Sequence, residues 1–213
     1  MSDVMHWRHD VVADRVLKAL KKNFFDAVYF PDAGKAAEYI LGYAKPGMTV
    51  GFGGSMSVKG MGIQDKIKEK GALVLDHNAP GTSPEDAMTI RRKQLGCDLF
   101  ITGTNALTMN GWLVNVDGLG NRVASMIFGP KKVIAVAGIN KISKDLDAAF
   151  ERIEQYAGPL NNKRLSKTNP CVTTGICMNC EGQSRICNVY SIMKRRPSAT
   201  DITVVLVGEN LGY

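Results

Sequence analysis

The chain of 213 residues lacks any uninterrupted apolar run of roughly 18 residues, so it is not expected to span a membrane. It opens Met1-Ser2-Asp3-Val4, without the basic stretch and apolar segment of a secretory leader. A cytoplasmic location is therefore expected, and disulfide bonds are disfavoured for its cysteines. Aromatic residues are few, at 7%. No Gly-Lys-Ser/Thr follows its glycine-rich turn, which excludes a Walker A loop. The G-x-G-x-x-G fingerprint of dinucleotide sites fails because Met56 takes the place of the third glycine. Acidic residues are nearly missing from one region: between Gly158 and Ala199, Lys163, Arg164, Lys167, Arg185, Lys194, Arg195 and Arg196 face only Glu181. That region holds most of the formal charge of +7. Tyr190 is the one aromatic residue among those cations, and without stacking partners they argue against a nucleic-acid surface.

Four of the five cysteines crowd into that same region, as Cys171-x5-Cys177-x2-Cys180-x6-Cys187, in what reads as a loop. Two thiolates in a C-x2-C turn can face one centre, and two more a short loop away complete a four-sulfur set. The spacing predicts a metal site at Cys171, Cys177, Cys180 and Cys187 and leaves an iron–sulfur cluster and zinc both open, because gaps of five and six match neither usual pattern. Nearby Lys and Arg would offset the charge of a thiolate-ligated centre. Cys97, by contrast, reads as a buried apolar residue.

The rest of the chain, with 45% hydrophobic residues, alternates short apolar runs with amphipathic stretches. Strands are expected at Ala27–Phe30, Thr49–Phe52, Ala72–Asp76, Asp98–Thr102 and Lys132–Ala137. Helices are expected at Trp7–Lys22, Arg122–Phe128 and Lys144–Tyr156, the last capped by Ser143. This order predicts an α/β fold, Rossmann-like, with a mainly parallel sheet, and ligand sites at the strand C-terminal ends. Asn110-Gly111 between alternating runs predicts an inserted β-hairpin with a type I′ turn. Asp201–Gly208 reads as a strong buried strand, so residues 158–199 form an excursion from a single domain of residues 1–213, with 200–213 returning to the sheet. Trp7 and Trp112 read as packing residues, and His6 and His9 as solvated.

Two loops have the composition of a ligand site. Gly51, Gly53, Gly54, Ser55 and Ser57 form a glycine-rich turn after a strand, where backbone amides can approach an anion; a tight strand-to-helix turn without ligand explains the same residues. Thr104 and Asn105, then Asn115, Asp117, Gly118, Gly120, Asn121 and Arg122, concentrate polar groups around the hairpin. Asp117 and Arg122 either pair with each other, or Arg122 binds a carboxylate while Asp117 acts as a base. His77, at a strand end, is a candidate for acid–base work.

The segment Thr104–Lys141, with Asn-Val-Asp-Gly-Leu-Gly-Asn-Arg from Asn115 to Arg122 and Gly-Pro-Lys-Lys-Val-Ile-Ala-Val-Ala-Gly from Gly129 to Gly138, resembles the LUD-domain family, the lactate-utilisation proteins. Gly51–Ser57 followed by Gly62-Ile63 looks like that family's second signature, and the likeness covers most of residues 8–157. The resemblance implies a fold similar to the sugar-phosphate isomerase and CoA-transferase group. It also implies a place in oxidation of lactate to pyruvate beside iron–sulfur subunits. The cysteine segment is a departure from the short lactate-utilisation subunit. The leading expectation is an accessory subunit that binds a small anionic ligand between the two loops and serves redox partner subunits through its metal. Rival expectations are a non-redox isomerase or transferase-like enzyme with structural zinc, and a ligand-binding module without chemistry. Whether the chain is catalytic alone, and whether it forms a homo-oligomer, are left open.

Overall fold

The structure, a computed structural model, describes residues 3–213. In chain order the elements are α1 (Asp3–Lys22), β1 (Asp26–Phe30), α2 (Ala33–Leu41), β2 (Thr49–Phe52), α3 (Met56–Gly60), α4 (Ile63–Glu69), β3 (Leu73–Leu75), α5 (Pro84–Gln94), β4 (Leu99–Gly103), β5 (Ala106–Thr108), β6 (Leu113–Asp117), α6 (Asn121–Ile127), β7 (Lys132–Gly138), β8 (Ile142–Ser143), α7 (Leu146–Arg152), α8 (Gly158–Arg164), α9 (Cys171–Thr174), β9 (Val189–Met193) and β10 (Asp201–Val207). Six strands form a parallel sheet in the order β1-β10-β7-β4-β2-β3. The last strand of the chain is thus inserted beside the first. The fold is α/β and Rossmann-like, with helices on both faces.

The central strands are apolar and buried at nearly every position because both faces are covered. In β10, Ile202, Val204 and Leu206 pack into one core with Val16 and Leu20 of α1 and Met126 of α6. Val205 and Val207 point the other way, into a second core with Ile40 of α2 and Ile63 and Ile67 of α4. β7 divides likewise, Val133 and Ala135 to the first core and Ile134 and Val136 to the second, as the period of two demands. No described helix is long and apolar enough to cross a membrane.

The hairpin β5–β6 belongs to a second sheet, in the order β8-β5-β6-β9. Its turn is not type I′: of Asn110 and Gly111, only Gly111 has positive φ, at 74°. Gly111 N–H donates to Thr108 O at 2.8 Å and Thr108 N–H to Trp112 O at 3.0 Å, a three-residue loop closed by a left-handed glycine. The reason is tertiary. Asn23, just past α1, donates its side-chain amide to Asn110 O at 2.8 Å, pinning the hairpin tip to the helix end. A Cβ on Gly111 would stand 2.7 Å from Leu20 N. Gly111→Ala is expected to cost roughly 2 kcal/mol or more from left-handed strain and this collision, read as a lowered urea midpoint; a change under about 0.5 kcal/mol would contradict this docking.

Other expectations are corrected. Ser143 does not cap the late helix: it lies in β8, and Asp145 accepts from Ala148 N–H at 3.0 Å instead. That helix does not stop at Tyr156. It passes through a π turn at Ile153–Ala157 into α8, the widened turn accommodating Pro159, which has no N–H to give the ladder. The region 158–199 is therefore no plain loop. It contains α8, α9 and β9, and β9 pairs antiparallel with β6 from Leu113↔Met193 to Asp117↔Val189. His9 is buried, its Nδ1–H donating to Gly208 O at 3.0 Å. Trp7 is 65% exposed and is no packing residue; Trp112 is partly buried, with the Lys194 ammonium 4.5 Å above its ring. Cys97 is buried in the core.

Candidate functional site

The C-terminal ends of β2, β3, β4, β6 and β7 all open onto one cleft of about 540 Å³. Its location follows from the topology, since residues leaving parallel strands at that edge have no further strand to pair with. Gly53, Gly54 and Ser55 leave β2, and Thr104 and Asn105 follow β4. A Cβ on Gly53 would collide with Thr102 Oγ1, and one on Gly103 with Ser55 Oγ, so these glycines let the two loops lie against each other. Asp117, Gly118, Asn121 and Arg122, at the end of β6 and the start of α6, form the facing wall.

Four of the residues singled out in the sequence do not line the cleft. Gly51 is inside β2, where a Cβ would touch Gln94 and Phe100 at 3.0 Å. Ser57 is buried and donates to Leu211 O at 3.0 Å. Asn115 is buried, its Oδ1 accepting from Asn105 N–H at 3.1 Å. Gly120, with φ 80°, only starts α6.

Asp117 and Arg122 pair with each other. Arg122 Nε donates to Asp117 Oδ1 at 2.7 Å, and its Nη2 reaches the same oxygen, Asn105 Oδ1 at 2.8 Å and Val116 O at 2.8 Å. Asp117 Oδ2 accepts from Val123 N–H at 3.1 Å. His77 is buried at the cleft edge, its Nδ1 3.1 Å from Gln94 Nε2. Burial first, then the neighbouring Arg91 guanidinium, lower the His77 pKa, so the ring is neutral at neutral pH.

Lysine 141 is the residue the sequence did not single out. It is 4% exposed and lines the cleft, yet among the described residues no carboxylate pairs with it. Its Nζ donates to Ser57 Oγ at 2.8 Å and Thr104 O at 3.0 Å. Burial, then Arg152 and Arg122, lower its pKa to about 7. Arg152 holds the same region together, donating to Asn140 O at 3.0 Å and Asn105 O at 2.7 Å. The signal for Lys141 was positional: it sits three residues beyond the buried strand β7, at the ligand-bearing edge. Arg91, Arg164, Lys167 and Arg185 also line the cleft, against Asp117 as the sole acidic side chain among the described residues.

Cys171, Cys177, Cys180 and Cys187 line a separate small cavity of about 20 Å³, with Ile153, Pro159, Met178 and Arg185. All are free thiols. Burial first, then the neighbouring cysteines, push the Cys187 thiol up to about 11 and raise Cys171. The donor set suits a thiophilic metal, and the C-x2-C turn has a fitting local shape: Asn179, at φ 45°, donates its N–H to Cys177 Sγ at 3.4 Å. Convergence is incomplete, since among the described residues no three His, Cys, Asp or Glu side chains stand close enough together to hold an ion. Arg185 donates to Cys180 O and Cys187 O and lines the large cleft as well, so the two cavities share a wall.

The family model described as LUD domain matches residues 13–207, a span that runs through the cysteine segment. None of the curated proteins matches the chain. Among solved structures, a DUF162 family protein from Deinococcus radiodurans is similar at 12% identity and a TM-score of 0.52, covering 94% of this chain and 98% of that one. Ribose 5-phosphate isomerase from Plasmodium falciparum is similar at 18% identity and a TM-score of 0.34, over 53% of this chain and 52% of that one. The eIF2B beta subunit from Chaetomium thermophilum gives 16% and 0.37, over 54% and 44%.

Proposed function

The chain belongs to the LUD domain family, and from that premise we propose that its cleft binds a small organic anion of lactate or related organic-acid utilisation, as an accessory subunit of a redox complex. The observation that supports this most directly is the charge of the cleft. Arg91, Arg122, Arg164, Lys167 and Arg185 line it, and its only acidic side chain among the described residues, Asp117, is already neutralised by Arg122. Arg91 has no hydrogen-bond or ion-pair partner among the described residues and is free to take a carboxylate or phosphate in bidentate fashion. Calorimetric titration with lactate, pyruvate and inorganic phosphate is expected to give saturable binding. Arg91→Ala should weaken it about tenfold, the cost of one charge-assisted contact. Absence of binding for every anion tried would overturn the assignment.

Cys171, Cys177, Cys180 and Cys187 are proposed to hold a thiolate-ligated centre. An iron–sulfur cluster would exchange single electrons, whereas zinc would only clamp the segment. Two-electron oxidation of a hydroxy acid then requires a flavin or partner subunit. This chain's own contributions are to bind the anion, to seat Arg185 between the two cavities and to keep the thiols partly out of solvent. Metal and sulfide analysis with a visible spectrum on anaerobically purified protein separates the readings. Iron with acid-labile sulfide supports the redox subunit, and zinc without a visible band supports a non-redox enzyme or binding module. Cys177→Ser with Cys180→Ser is expected to abolish retention of either metal.

A further inference from the structure

A lysine at a buried position normally has a carboxylate beside it, because an isolated ammonium in a poorly solvated site is costly. Lys141 has none. The charges that act on it are those of Arg152 and Arg122, both cationic, and its two hydrogen-bond partners are uncharged. Ser57 Oγ donates onward to Leu211 O at 3.0 Å, so it must accept from Lys141. Thr104 O can only accept. A neutral amine has two N–H donors and one lone pair, and these two acceptors use both donors. The lone pair is left for the direction that remains, toward the cleft that Lys141 lines. The ammonium form would instead turn its third N–H to the cleft, where only solvent or a bound anion can accept it. Burial without a paired carboxylate and the neighbouring cations both favour the free base, and the lowering of its pKa to about 7 agrees with that. A desolvated lysine beside other cations is the arrangement that makes an amine nucleophilic at neutral pH.

We propose that Lys141 is a covalent nucleophile that condenses with the carbonyl of a small 2-oxo carboxylate held in the cleft, an inference that rests on the anion-binding function proposed above. Nζ adds its lone pair to the carbonyl carbon, and the carbonyl oxygen takes up a proton, giving a carbinolamine. Expulsion of that oxygen as water leaves a carbon–nitrogen double bond to Lys141. One carbonyl and one amine become one imine and one water, with nothing oxidised or reduced. Arg91 is the free guanidinium on the same cleft for the substrate carboxylate, and Ser57 and Thr104 orient the amine. A cleft of about 540 Å³ has ample room for an acid of a few carbons.

The test is to incubate the full chain with pyruvate and sodium cyanoborohydride, digest it and locate the reduced adduct by tandem mass spectrometry, with pyruvate binding followed separately by calorimetry. The adduct is expected on Lys141 at about tenfold or more the level on any exposed lysine, since each unit of pKa lowering gives tenfold more free amine. Lys141→Arg should lose it while retaining the wild-type circular dichroism spectrum. Pyruvate binding without an adduct on Lys141, or with labelling spread evenly over surface lysines, overturns the inference and leaves the anion site standing. Neither binding nor adduct, for pyruvate and for phosphate, overturns both.

Discussion

Arg122→Ala is expected to lower the free energy of unfolding by about 3–5 kcal/mol, the cost of stranding a buried charge. The Asp117 side chain is 9% exposed and that of Arg122 13%, so water can replace little of what is lost. Arg122 bonds not only to Asp117 but also to Asn105 Oδ1 and Val116 O, which ties the loop after β4 to the end of β6. Asn105 in turn accepts from Val116 N–H at 2.9 Å, so one substitution loosens both walls of the cleft. The double variant Asp117→Asn with Arg122→Met should be less damaged than Arg122→Ala alone, because it leaves no unpaired carboxylate. Urea unfolding of the three proteins decides this. A cost under about 1 kcal/mol for Arg122→Ala would mean that the pair behaves as an exposed one.

The second large effect concerns pH. Lys141 has a pKa of about 7 in the folded chain against an ordinary 10.5. Between those values the unfolded chain binds the proton and the folded chain does not, so stability rises with pH through that window. Below about pH 7 both forms are protonated, and the folded protein bears the whole penalty of a buried ammonium. Lys141→Met removes this dependence. The stability of the wild type minus that of the variant is therefore expected to increase from pH 7 to pH 10, by at most about 4 kcal/mol. Denaturant titrations at pH 6, 7, 8, 9 and 10 on both proteins give the slope. A flat difference would show that Lys141 titrates as a solvated amine and would also remove the support its acidity lends to imine formation.

Most of the sheet was legible in the chain because it is built from local signals. The run Ile-Thr-Val-Val-Leu-Val of β10 is apolar at nearly every position, which only a strand covered on both faces tolerates. The hairpin around Asn110-Gly111 was legible from alternation and a turn pair, but its turn type was not. Asn23 and the end of α1 decide that, and they lie 87 residues away in sequence. Ser143 was a sound cap by residue type, and Asp145 displaced it because Ser143 is committed to β8. His9 and Trp7 exchanged their expected environments. α1 turns His9 toward the carbonyl that ends β10 and Trp7 toward solvent, and no periodicity carries that information.

The sequence by itself determined the six strands of the parallel sheet, the inserted hairpin, the family signature and the two polar loops, since these rest on residue spacing within 10–20 positions, the range over which helix and strand periods act. Tertiary structure decided the strand order, with β10 between β1 and β7. It decided that Asp117 and Arg122 satisfy each other and that Gly51, Ser57, Asn115 and Gly120 do not line the cleft. It also placed Arg185 on both the thiol cavity and the anion cleft. Most of all it decided the state of Lys141. The charge of a lysine depends on how much water and which charges surround its ammonium, and those neighbours come from Ser57, Thr104, Arg122 and Arg152, residues that meet only after the sheet has formed.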